Sequence, residues 1–323
     1  MINNTFEEIG KALSAGHKIL LFPHINADGD AVGSCIALCR ALRQAGKECW
    51  ILIEDRIPGN LRFLDDDYCT LDQDILGKPD ISVCVDCSDM SRLHDRGKRF
   101  LTAGTTVCID HHLTADRFCD LNYIDSNAAA TGELIYKLLL ACGVQLDKEI
   151  GEALFTAIVT DTGRFQYKNT SKQTHEIAAA LYDTGIDAGY ICTEIYESMR
   201  MEKLMIRNKA LNTLSTVAGG KAVIAYVTQE MLSETGAFMD ETDGVVEELR
   251  SIKGVEAAAF LKESQDGKIK VSFRSKQSLD VAEIAESFGG GGHIRAAGCT
   301  LACGLSDAYD QIKERLTACL GRV

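Results

Sequence analysis

Short apolar runs, each too brief for a helix, constrain the first half of this chain more than any other feature. Lys18–Pro23, Cys49–Ile53, Ile81–Val85 and Thr106–Ile109 read as strands. After the first of them, Ala31–Ala45 carries apolar residues at Val32, Ile36, Leu38 and Leu42, with Gly46 as its stop. This alternation predicts an α/β fold, a mostly parallel sheet with flanking helices. Helical patterns then dominate, over Thr131–Cys142, Lys148–Val159, Lys172–Asp183, Ala188–Ser198 and Met199–Leu214. From Gly219–Gly220 onward the pattern is β-rich again, with Ala222–Val227, Ala257–Lys262 and Ile269–Phe273. The last two are joined as a hairpin through Gln265-Asp266-Gly267. A helix near Val281–Ser287, the run Gly289–Gly292, a strand near Cys299–Ala302 and a closing helix complete the chain. The expected organisation is a domain over 1–190, a helical linker over 191–214 and a smaller C-terminal α/β domain over 215–323, with a cleft between the domains.

Charge narrows the partners. The 323 residues carry 34 Lys and Arg against 47 Asp and Glu, a net of −13. A chain this acidic does not coat long duplexes through a uniformly basic surface, although a local cationic pocket for a small phosphorylated ligand remains open. No basic segment leads into an apolar one near Glu7 and Glu8, and Ile19–Pro23 is too short to span a bilayer, so a cytoplasmic location without membrane partners is expected. Thirteen cysteines, among them Cys35, Cys39, Cys84, Cys108 and Cys142, sit mostly inside apolar segments and read as reduced core thiols. Cys84 and Cys87 form a C-x-x-C with no matching second pair, which argues against a zinc knuckle.

The chemistry gathers where apolar runs stop. Phe22–Ser34 ends its apolar part at Pro23 and then offers His24, Asp28 and Asp30, in the loop where open α/β sheets usually bind ligands. Gly29 and Gly33 there are read as letting the backbone turn closely. Ile81–Val85 is closed by Asp86, Val107–Ile109 by Asp110-His111-His112, and the helical Ala157–Thr160 by Asp161. A carboxylate that closes a buried run must find a partner. Any one cluster alone would suit a capped or satisfied core residue; four together point to an N/O-ligand site for two ions. Imidazole and carboxylate without thiolate suit manganese or magnesium best, with zinc or iron as other candidates. Two such ions can clamp a phosphoryl oxygen during in-line displacement. There is no H-E-x-x-H, no Walker loop and no G-x-S-x-G, which removes support for zinc peptidases, nucleotide-driven motors and serine hydrolases. In the second half, Gly289–Gly292 lets backbone amides, Gly291 and Gly292 among them, approach an anion, with His293 and Arg295 as side-chain donors. The bland alternative for that run is a flexible surface loop with two solvated cations. Arg274 and Ser275 end a strand as a further candidate contact.

As a set, His24-x3-Asp28-x-Asp30, Asp86, Asp110-His111-His112 and Asp161 resemble the four motifs of the DHH phosphoesterases. Gly290–His293 with Ala296-Ala297-Gly298 resembles the signature of the DHH-associated C-terminal domain in its first subfamily. The resemblance covers essentially the whole chain and is nearest to the bifunctional oligoribonucleases and pAp phosphatases (NrnA type). It implies hydrolysis of short single-stranded RNA and linear dinucleotides to 5′-mononucleotides, and of pAp to AMP, by a hydroxide held between two manganese ions. It also implies metal ligands at His24, Asp28, Asp30, Asp86, His111 and Asp161, with Asp86 bridging and Asp110 orienting a histidine. His112 would contact the scissile phosphate or assist the leaving group, and Arg274, His293 and Arg295 would hold the substrate's terminal phosphate and nucleotide. A homodimer is compatible with the family. The competing expectations are a cyclic-dinucleotide phosphodiesterase using the same metals and a non-catalytic nucleotide-binding sensor.

Overall fold

The computed structural model describes residues 3–321. The chain divides into two units between Ser198 and Met199. In the first unit, β1 (Lys18–Phe22), β2 (Glu48–Leu52), β3 (Cys69–Thr70), β4 (Ile81–Val85), β5 (Thr105–Asp110) and β6 (Leu121–Ile124) form one sheet in the order β3-β2-β1-β4-β5-β6. Every pair in it is parallel. Both faces are covered, which explains why the central strands read as continuous apolar runs. Ile19 and Leu21 face a core built with the helices Gly29–Gln44, Thr131–Ala141 and Lys148–Asp161. Leu20 and Phe22 face a smaller core with Cys84, Cys108 and Phe100. The strand order reverses direction between β1 and β4, so their carboxyl ends flank a topological switch point.

Among the described residues, the second unit also carries six strands. They are β7 (Ser215–Val217), β8 (Ala222–Val227), β9 (Ala257–Glu263), β10 (Ile269–Ser275), β11 (Gly291–His293) and β12 (Ala296–Leu301), in the order β11-β12-β10-β9-β8-β7. Only the β8–β9 pair is parallel. Alternation sorts the side chains: Ile224, Ala257 and Ala259 pack under the closing helix Leu305–Leu320, whereas Val223, Ala225, Ala258 and Phe260 pack with the helices Met201–Asn212 and Val245–Ser251. The expected hairpin is present, with Gly267 at φ 77° in its turn.

Four expectations are corrected. The segment 191–214 is not a linker: Ile191 and Ile195 lie in the first unit's core, while Ile206 and Ala210 lie in the second's. Cys142 is exposed, because it caps a helix end instead of facing inward. Gly29 and Gly33 serve helix packing, not a turn: a Cβ at Gly33 would overlap the Ala153 carbonyl oxygen and sit 3.0 Å from the Ala157 nitrogen. Gly291–His293 is a strand, not a loop, and a Cβ on the preceding Gly290 would lie 2.6 Å from Cys299 Cβ on β12. Four helices escape the periodicity reading: Arg96–Phe100, Gln229–Thr235, Val245–Ser251 and, longest of them, Phe6–Ala15. Phe6–Ala15 opens on a capping box in which Thr5 Oγ1 accepts from the Glu8 amide and Glu8 accepts from the Thr5 amide, and it buries Ile9 and Leu13.

Candidate metal centre

Each predicted ligand of the first unit stands at the carboxyl end of a strand or at a helix terminus on that same side. His24 follows β1, Asp86 follows β4, and Asp110 closes β5 with His111 and His112 behind it. Asp28 caps the helix Gly29–Gln44, accepting from the Asp30 and Ala31 amides at 3.1 Å each through Oδ1, and Oδ2 lies 3.8 Å from His24 Nε2. Asp161 is the last residue of the helix Lys148–Asp161. Three trios place their ligand atoms within 4.8 Å of one another: His24, Asp28 and Asp86; Asp86, His111 and His112; Asp30, His111 and Asp161. Asp86 and His111 each belong to two of them, so the six predicted metal ligands form one connected site.

Asp86 is the strained member. It is 1% exposed and holds φ at 56°, a left-handed conformation uncommon outside glycine. Its Oδ1 accepts from Thr131 Oγ1 at 2.8 Å, and its Oδ2 lies 3.6 Å from His24 Nε2. Asp30, equally buried, accepts from the Thr131 and Gly132 amides at 2.7 and 2.9 Å and from Ser34 Oγ at 3.1 Å. These two amides open the helix Thr131–Ala141, whose positive end faces the carboxylate. Thr131 and Gly132 are site residues that sequence reasoning misses. Their only signal is the Thr-Gly-Glu helix start after Ala128–Ala130, which marks a helix without revealing what its amides face.

The histidine protons decide what the site can do. His24 Nδ1 lies 2.6 Å from the Ile25 carbonyl oxygen, and His111 Nδ1 lies 3.2 Å from that of Ala128. A carbonyl only accepts, so both Nδ1 atoms carry hydrogen and Nε2 is the nitrogen left to face the carboxylates. His111 Nε2 faces Asp30 Oδ2 at 3.6 Å, Asp86 Oδ1 at 3.7 Å and Asp161 Oδ2 at 3.6 Å. Nitrogen and carboxylate oxygens therefore converge at separations too long for hydrogen bonds and suited to a cation between them. Electrostatics agree: burial, then the neighbouring carboxylates, pushes Asp30 well above the ordinary carboxylate range, and burial followed by Asp28 pushes Asp86 up to about 6. Burial raises Asp161 as well. This donor set of imidazole nitrogen and carboxylate oxygen fits hard to borderline divalent ions.

His112 differs from His111. Its Nδ1 lies 2.7 Å from Asp110 Oδ1, which also accepts the His112 amide at 3.0 Å, and its side chain is 37% exposed. Hydrogen bonding to Asp110 pushes the His112 imidazolium up to about 9. Asp110 thus holds His112 and not His111. Asp110→Asn is expected to cut turnover roughly 10–100-fold by loosening that ring. Circular dichroism should stay unchanged, and activity within about twofold of wild type would contradict the assignment.

In the second unit, the predicted contacts separate. Ser275 is buried and donates to the Leu279 carbonyl at 2.7 Å. Arg295 donates to the Leu279 carbonyl at 2.8 Å and to that of Gln277. Both side chains are therefore engaged in holding the 275–281 turn. Arg274 Nε pairs with Glu247 at 2.8 Å. Gly291, Gly292 and His293 are exposed on the edge strand β11.

The pattern of the DHH family, N-terminal domain, matches residues 18–158, and that of the DHHA1 domain matches residues 219–322. A bifunctional oligoribonuclease and PAP phosphatase NrnA from Thermus thermophilus is 31% identical over 92% of this chain and 88% of its own length. The chain belongs to the DHH family. It is a phosphoesterase of that family, and the matched DHH segment contains every histidine and carboxylate of the cluster except Asp161, which lies just beyond it. Its fold is shared with an exopolyphosphatase-related protein from Bacteroides fragilis at TM-score 0.78 and 24% identity, over 98% of this chain and 97% of that one. It is shared also with the exonuclease RecJ bound to manganese, at TM-score 0.59 and 14% identity, over 100% of this chain and 96% of that one. Among the described residues, no helix is long and apolar enough to cross a membrane.

Proposed function

We propose that this DHH phosphoesterase hydrolyses short oligoribonucleotides and linear dinucleotides to 5′-mononucleotides, and pAp to AMP. Two divalent ions, manganese foremost, would be held by His24, Asp28, Asp30, Asp86, His111 and Asp161. The observation that carries the reading is that His24 and His111, each with Nδ1 directed at a backbone carbonyl, turn Nε2 toward buried carboxylates at 3.6 Å. Divalent ions bound there supply Lewis-acid polarisation of a phosphoryl oxygen and acidify a water. The protein's part is to place and hold. Asp86 is shared between trios, kept in its unusual backbone conformation and anchored by Thr131. Asp110 fixes the His112 ring with its Nδ1 occupied, which leaves the other nitrogen to meet the scissile phosphate or give a proton to the leaving oxygen. For the substrate, we assign His293, the amides of Gly291 and Gly292, and Arg274 if its pairing with Glu247 yields to a phosphate. Ser275 and Arg295 act by shaping that segment. The substrate class rests on the naming of the Thermus thermophilus relative, and manganese on a donor set of imidazole and carboxylate without thiolate.

The test is product formation with manganese on a 5′-phosphorylated diribonucleotide, pAp, a longer RNA and a cyclic dinucleotide. Fast cleavage of the dinucleotide and pAp with slow attack on the longer RNA is expected. Preferential opening of the cyclic dinucleotide would overturn the substrate assignment, and tight nucleotide binding without product would overturn catalysis.

A further inference from the structure

The loop that carries two site histidines is bracketed by two thiols of one small core. It runs from the end of β5 to the start of β6, over residues 111–120. Cys108 lies on β5, two residues before Asp110, and Cys119 lies just before β6 and packs against the same small core. Cys119 is the neighbour that acts most strongly on the Cys108 thiol. Both are free. Their exposure differs: Cys108 is completely buried, and Cys119 is half-buried. Cys108 is also fixed in place, because β5 is paired on both sides, with Cys84 opposite on β4 and Asn122 opposite on β6. The Cys119 end is tied through Asn122, whose side chain bonds the Cys119 amide at 3.3 Å and its carbonyl at 2.6 Å.

We propose that Cys108 and Cys119 form a redox-modification site, whose oxidation to a disulfide by a peroxide closes residues 108–119 into a ring and displaces His111 and His112. The chemistry balances. The half-buried Cys119 sulfur attacks hydrogen peroxide, the O–O bond breaks, and Cys119 becomes a sulfenic acid with release of one water. The Cys108 sulfur then attacks that sulfenic sulfur; the S–S bond forms, the S–O bond breaks, and the departing hydroxide leaves as a second water with the Cys108 proton. Two thiols and one peroxide thus give one disulfide and two waters, and a dithiol reductant reverses the change. A covalent S–S bond of about 2.0 Å is far shorter than the separation of two unbonded sulfurs, so the freer end must move. That end is Cys119, since Cys108 is held between two strands. The pull is transmitted to the loop between the two cysteines, where His111 faces Asp30, Asp86 and Asp161. A displacement of about 1 Å in such a site costs on the order of 100-fold in rate. Cys84 Sγ donates to the Cys87 carbonyl at 3.9 Å, but both of these cysteines are completely buried, which leaves Cys119 as the accessible point of entry.

The consequence for turnover rests on the proposed phosphoesterase reading, while the linkage itself does not. The full chain is therefore treated with hydrogen peroxide and assayed two ways. Peptide mapping without reduction is expected to show Cys108 joined to Cys119 with a loss of about 2 Da, restored by dithiothreitol. Manganese-dependent cleavage of the diribonucleotide is expected to fall about tenfold or more and to recover with the same reductant. Cys119→Ser should keep the untreated rate, form no such linkage and lose the reversible inhibition. A Cys84–Cys87 linkage in its place, or Cys119 oxidised without a bridge, overturns the assignment, as does an intact bridge with unchanged turnover. If the reduced protein shows no turnover on any substrate, the functional reading fails and the mapping still decides the thiol pair.

Discussion

Asp86→Asn is expected to lower manganese-dependent turnover by about three orders of magnitude or more while leaving the metal-free fold as stable as wild type or more so. Asparagine is nearly isosteric and is among the few residues that tolerate φ near 56°, so the backbone has no reason to move. The charge is what disappears. In the metal-free protein that charge is a burden, because burial and then Asp28 raise the Asp86 carboxyl to about 6. A carboxyl raised on folding favours the folded state at low pH, and this contribution is lost as pH rises through the folded value. Relative to the variant, wild type should therefore lose stability between about pH 4 and pH 6, by on the order of 2–3 kcal/mol. Manganese should invert the order. Ligand binding stabilises only a site that can hold the ion, so wild type gains melting temperature on titration and Asp86→Asn gains little. Paired melting curves in chelator and in manganese, across about pH 4 to 8, measure this directly. Residual turnover within about tenfold of wild type, or an undiminished manganese shift in the variant, would contradict the placement of Asp86 at the centre of the site.

Gly33→Ala should damage the site from within the helical layer. The new Cβ would overlap the Ala153 carbonyl oxygen and lie 3.2 Å from the Ala157 Cβ, and a backbone carbonyl cannot swing aside as a side chain does. The helices Gly29–Gln44 and Lys148–Asp161 must separate, at a cost of about 2–4 kcal/mol and roughly 5–15 °C in Tm. Function should suffer more than this figure implies, since the first helix bears Asp30 near its start and the second bears Asp161 at its end. A drop in turnover on the order of 100-fold below the melting transition is expected. Gly59→Ala is the control: nothing lies within 4 Å of a Cβ there. If Gly33→Ala melts within about a degree of wild type, the close helix contact is not a constraint on this fold.

Primary structure anticipates these two effects unequally. Asp86 stands out because an apolar strand ends on it. His24, Asp110 and Asp161 stand out on the same logic, since a run of buried residues that stops on an ionisable one places that group at the end of an element. Gly33 does not stand out in this way. Sequence sets it in a helix and reads its missing side chain as freedom to turn, whereas only the partner helix, more than a hundred residues away, shows why a side chain is excluded. The Gly289–Gly292 run misleads for a related reason. Its glycines let a short edge strand approach β12, which local sequence cannot distinguish from a flexible loop.

Local pattern by itself determined the class of fold, the strand and helix ends that carry ligands, and the kind of ligand each could offer. These follow from periodicity and residue chemistry, which act over a few residues. Tertiary structure alone decided the rest. It placed β1 beside β4, so that His24 and Asp86 meet at the point where the strand order reverses. It brought the Thr131–Ala141 amides onto Asp30, and it gave Asp110 to His112 and the Ala128 carbonyl to His111. Each of those choices depends on which distant backbone group arrives next to a side chain. The proton on each histidine, and with it the capacity to hold a cation, follows from that encounter and not from the residues on either side.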